Sequence, residues 1–73
     1  MNSAKIISSQ DISQKYKISY QTINYYTNLG LLVVKKRKGN GRLYDNKEVE
    51  KRLSKITDLK NKGYPLRLIS EML

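Results

Sequence analysis

Apolar residues recur along this chain in short bursts, and a residue that starts or stops a helix marks each change of rhythm. Ile7 and Ile12 bracket Ser8-Ser9-Gln10-Asp11, which resembles a capping box: the Ser8 hydroxyl accepts from the Asp11 amide, Asp11 reaches back, and the isoleucines staple across. This predicts a first helix over about 9 to 16. Ile18 and Ile23 bracket Ser19 in the same way, so a second helix is expected over about 20 to 28, closing on Gly30. Only about three residues lie between the two, and a turn that tight signals a helix-turn-helix across 9 to 28.

The rhythm then changes. Leu31 to Val34, a basic run, Gly39-Asn40-Gly41 and Arg42-Leu43-Tyr44 read as strand, Gly-rich turn and strand, so a hairpin is expected over 32 to 44. Asp45-Asn46-Lys47-Glu48 is another capping box, with Tyr44 and Val49 as its staple. Val49, Leu53, Ile56 and Leu59 follow at helical spacing up to Gly63. That predicts a helix over 46 to 62, and Pro65 opens a last one over 65 to 73. On the last helix Leu66, Ile69 and Leu73 form one apolar stripe, and Leu68 with Met72 a second, which is expected to cover a helix of a longer chain or of another copy. The expected fold is a single mainly α domain over 1 to 73, a winged helix-turn-helix of about four helices with a two-stranded β-hairpin wing.

Composition narrows the function. Seventy-three residues with no Cys and no His leave no thiolate, imidazole or usual zinc set, so no metal or cofactor is expected and no catalytic residue is assigned. The Gly39-Asn40-Gly41 turn lacks the Lys-Ser/Thr and the strand-to-helix setting of a P-loop. The longest uninterrupted apolar run is Leu31 to Val34, far short of a membrane span, and no secretory signal is evident. A cytoplasmic, nucleoid-associated protein is expected.

Fifteen Lys and Arg stand against six Asp and Glu, a formal charge of +9, and the excess is concentrated. Lys15, Lys17, Lys35, Lys36, Arg37, Lys38 and Arg42 lie between 12 and 44 with no acid among them, whereas both signs mix after residue 45. The front half is the electrostatic face, and its partner is a polyanion.

Stepping about 100° per residue from Ile23 places Tyr26 and Thr27 within about 60° of it, and Gln21, Asn24, Tyr25 and Asn28 between about 100° and 200°. One side of the second helix faces the core and the other offers hydrogen bonds. Gln and Asn pair bidentately with adenine in the major groove, and a phenol such as Tyr25 donates to phosphate oxygens. The hairpin would project its cations as a wing along the phosphate backbone. Candidate DNA contacts are therefore Lys17, Ser19, Tyr20, Gln21, Thr22, Asn24 and Tyr25 of the helix-turn-helix, and Lys36, Arg37, Lys38 and Arg42 of the wing.

Taken in order, Ile18-Ser19-Tyr20-Gln21-Thr22-Ile23-Asn24-Tyr25-Tyr26, Leu29-Gly30-Leu31-Leu32, Arg42-Leu43-Tyr44-Asp45, and Leu59 through Gly63-Tyr64-Pro65-Leu66 to Ile69 and Leu73 resemble the MerR-type winged-helix DNA-binding domain. The resemblance implies that the second helix reads the major groove, that the wing grips the backbone, and that Arg42 and Tyr25 contact phosphates. It also implies Arg before the tyrosine pair, where this chain has Asn24, so that contact is lost or exchanged for one to adenine. The long dimerisation helix that the resemblance implies does not follow within these residues, so an excised domain or a minimal member is expected, acting as a homodimer in full-length or DNA-bound form. The function expected is sequence-specific binding of double-stranded DNA for a transcription regulator. An architectural role in recombination, excision or segregation is the alternative. A basic module docking on an acidic protein or an anionic membrane is the rival from another class.

Overall fold

The computed structural model describes residues 5–39 and 41–73. Its elements, in chain order, are β1 (Ile6–Ser8), α1 (Ser9–Tyr16), α2 (Tyr20–Asn28), β2 (Val34–Lys38), β3 (Gly41–Asp45), α3 (Asn46–Asn61) and α4 (Leu66–Met72). This is a mainly α winged helix-turn-helix whose sheet has three strands. Asn40, read from sequence as the middle of the wing turn, lies outside the described residues. Among the described residues no helix is long and apolar enough to cross a membrane.

Helix starts follow local chemistry. Ser8 Oγ accepts from the Asp11 amide at 3.1 Å, Ser19 Oγ from the Thr22 amide at 3.1 Å, and Asp45 Oδ1 from the amides of Lys47 and Glu48 at 2.9 and 3.2 Å. Pro65 stands at the N-cap of α4, just outside the helix, and makes no side-chain capping bond. The stops are equally local. At Gly30 (φ 83) the Leu31 amide reaches back to the Tyr26 carbonyl at 2.8 Å, and at Gly63 (φ 96) the Tyr64 amide reaches the Leu59 carbonyl at 3.1 Å. Both are helix ends closed by a left-handed residue, a backbone that glycine adopts without steric cost.

Two departures come from the sheet. The run Leu31 to Val34, expected to open the wing, divides: Leu31 and Leu32 are buried in the turn after α2, and the strand starts only at Val34. Their side chains are worth more in the core than a longer hairpin would be, at roughly 1.5–3 kcal/mol for each buried leucine. The second departure is β1, which pairs antiparallel with β3, so the strand order is β1-β3-β2. Three residues are too few to show an alternation, and their ladder exists only once β3 is in place.

The core gathers Ile7 from β1, Ile12 from α1, Ile23 and Tyr26 from α2, Leu31 and Leu32, Tyr44 from β3, Val49 and Ile56 from α3, and Ile69 from α4. Every element except β2 supplies a buried side chain, and β2 adds the half-buried Val34. On α4, Leu66, Ile69 and Leu73 turn inward, whereas Leu68 and Met72 are 40% and 48% exposed.

Candidate nucleic-acid interface

Helix α2 divides as its periodicity requires. Ile23 and Tyr26 are buried, while Tyr20, Gln21, Asn24, Tyr25 and Asn28 are exposed. Ser19 and Thr22 behave differently from the other candidates. Ser19 Oγ takes the Thr22 amide and lies 3.0 Å from the Thr22 hydroxyl, so both side chains hold the start of the helix. Lys17 closes α1 in the left-handed region, at φ 58, and its side chain is exposed in the turn between the two helices.

The wing is organised by an irregularity. Val34 faces Tyr44, but the next pair is Lys36 with Leu43, followed by Arg37 with Arg42 and Lys38 with Gly41. Lys35 is thus an extra residue in β2, a β-bulge. Cross-strand partners share a face, and side chains alternate along a strand. Arg37 and Arg42 therefore lie on the face of Val34 and Tyr44, which looks toward the helices, while Lys36 and Lys38 lie on the other. Unbroken alternation would have put Lys36 and Lys38 beside Val34, so the four wing candidates do not form one surface.

Two hydrogen bonds join that inner face to α2. The Tyr44 hydroxyl lies 2.8 Å from Thr27 Oγ1, and Arg42 Nη1 donates to Asn24 Oδ1 at 3.3 Å. Thr27 and Asn24 are about one helical turn apart, and Tyr44 and Arg42 are neighbours on one strand face, so β3 is pinned along α2 at successive points. Asn24, Arg42, Tyr20 and Gly41 line a shallow cleft together with Ser8, Ser9 and Gln10 at the start of α1. Ser9 and Gln10 escaped the sequence reading because their spacing signalled only a helix start.

Charge around this surface is unopposed. Among the described residues the one ion pair is Lys62–Asp58 at 3.5 Å, on exposed α3, so no carboxylate neutralises a cation of the wing. By contrast, the depression along the start of α3 brings together Asp45, Lys47, Glu48, Glu50, Lys51 and Lys55, charges of both signs that water solvates. Among the described residues no three acidic side chains come together where they could hold a metal ion.

The model of the MerR HTH family of regulatory proteins matches residues 7–73. The chain belongs to that family. No curated protein and no solved structure matches it significantly. As a MerR-family domain, it is a DNA-binding helix-turn-helix module of transcription regulation, in a family of regulators rather than enzymes.

Proposed function

We propose that this MerR-family domain binds duplex DNA sequence-specifically, with α2 in the major groove and the wing along the adjacent backbone. The observation that carries the reading is the pinning of an exposed, acid-free polar helix face to a basic hairpin by Tyr44–Thr27 and Arg42–Asn24. Gln21 and Asn24 are the base readers, Tyr20 and Tyr25 flank them, and Lys17 stands at the turn. Arg37 and Arg42 hold phosphate. Two guanidinium groups directly opposite on one sheet face repel each other, and an anion between them removes that cost. Lys36 and Lys38, on the other face, add long-range attraction.

A homodimer on two half-sites at the nucleoid, in the cytoplasm, completes the proposal, with Leu68 and Met72 available to a neighbouring helix. The lipid-binding rival loses support because the apolar faces of α1, α2 and α3 are spent in the core.

The test is a titration of duplex DNA across salt concentration together with selection from a random duplex pool. With about five phosphates neutralised, log K against log salt should fall with a slope of about −4 to −5, and a slope shallower than about −2 overturns the basic face as the interface. Recovery of an inverted repeat supports dimeric, sequence-specific action. Tight binding without any recovered motif moves the protein to the architectural alternative.

A further inference from the structure

We propose that Arg42 and Asn24 form one recognition element, in which the guanidinium engages the Asn24 carbonyl and so turns residue 24 into a donor-only reader that selects guanine over adenine. The proposal rests on the reading that α2 lies in the major groove.

Adenine recognition by an asparagine needs both ends of the amide: the oxygen accepts from N6 while the nitrogen donates to N7. A guanidinium has five N–H donors and no acceptor, so the end of Asn24 that meets Arg42 Nη1 at 3.3 Å must be the oxygen. The amide nitrogen is left, on an exposed side chain, with two hydrogens to give. Guanine offers two adjacent acceptors in the major groove, N7 and O6, whereas adenine sets its N6 donor beside N7 and would oppose the same group.

The geometry that enforces this is tertiary. The Tyr44–Thr27 bond fixes β3 against α2, and Arg42, two residues away on the same strand face, then falls opposite Asn24. No acid lies between residues 12 and 44 to draw the guanidinium elsewhere along that stretch. Arg37, paired with Arg42 across the hairpin on the same face, supplies an internal control, because it carries an equal charge and makes no bond to Asn24.

The experiment selects bound sequences from a random duplex pool for the parent chain and for Arg42→Ala, Arg37→Ala and Asn24→Asp, each first checked by thermal melting for a folded transition. The parent should recover guanine at one position, preferred over adenine by about fivefold or more. Arg42→Ala frees the carbonyl, so that position alone should shift to adenine. Arg37→Ala should weaken binding and leave the motif unchanged. Asn24→Asp keeps an acceptor for Arg42 but loses both donors, so the guanine preference should vanish. Adenine at that position in the parent, a motif unchanged by Arg42→Ala, or the same shift from Arg37→Ala would each overturn the coupling while leaving DNA reading by α2 intact. Failure of the folded parent to bind any duplex would overturn the reading of α2 itself, and the coupling with it.

Discussion

Helices α2 and α3 are built by one set of rules and serve opposite ends. Each begins on a side chain that accepts backbone amides, Ser19 or Asp45, and each stops at a left-handed glycine, Gly30 or Gly63. Each also buries two residues, Ile23 and Tyr26 in one, Val49 and Ile56 in the other. Their outer faces differ completely. That of α3 mixes Lys47, Glu48, Glu50, Lys51, Lys55 and Asp58, whereas no residue of α2 carries a charge. Charges of both signs at helical spacing satisfy one another and water, which suits a face that stays solvated. Amides and phenols are directional, and a face made of them is specific only to a partner with matching donors and acceptors. The positive charge lies instead on the wing beside it, so under the proposed function attraction and base reading belong to different elements, joined by two hydrogen bonds.

The difference between inner and outer faces of α2 gives the largest expected effect. Ile23→Ala should cost about 2–5 kcal/mol in urea denaturation, enough to unfold much of so small a domain, whereas Asn24→Ala should stay within about 0.5 kcal/mol. Equal losses would mean that Asn24 holds the fold and does not serve recognition. Between the wing and α3, Arg37→Ala and Arg42→Ala should each reduce the magnitude of the salt slope of DNA binding by about one, and Lys55→Ala on α3 should leave it unchanged. If all three changes act alike, net charge governs binding and the contrast between the two helices fails.

The joint itself can be loosened. Tyr44→Phe removes the bond to Thr27 without changing the packed ring, and should lower stability by about 0.5–1.5 kcal/mol, measured by chemical denaturation. A larger drop in DNA affinity than in stability would show that this bond aligns wing and helix. The smallest effect is expected at the turn. Lys17 holds a left-handed backbone at φ 58, so Lys17→Gly relieves steric strain while loosening the unfolded chain, and thermal melting should show a gain of up to about 1 kcal/mol. A loss there would mean that the lysine side chain supports the turn.

What could be read along the chain and what could not divide by the range of the interactions. The first three helices were legible, because Ser8, Ser19, Asp45, Gly30 and Gly63 act on amides and carbonyls within about five residues of themselves. The polar face of α2 was legible for the same reason, since helical period alone separates Tyr25 from Tyr26. Strand β1 is hidden in the sequence because Ile6–Ser8 is held by partners at 43 to 45, and Leu31 and Leu32 read as strand because a short apolar run looks the same in a sheet or beneath one. The wing's chemistry was the least legible part. Five cations of the wing could be counted in the sequence, but the bulge at Lys35, which puts Arg37 on the face of Arg42 and Tyr44 and Lys36 and Lys38 on the other, exists only in the register of two paired strands. Likewise, eighteen residues separate Asn24 from Arg42, and nothing in that stretch announces their hydrogen bond. Local hydrogen bonding and period set which residues are helical and which side of α2 is polar. Only strand pairing and the docking of β3 on α2 decided which cations stand beside which amide, because a one-residue change of register would send each of them to the opposite face.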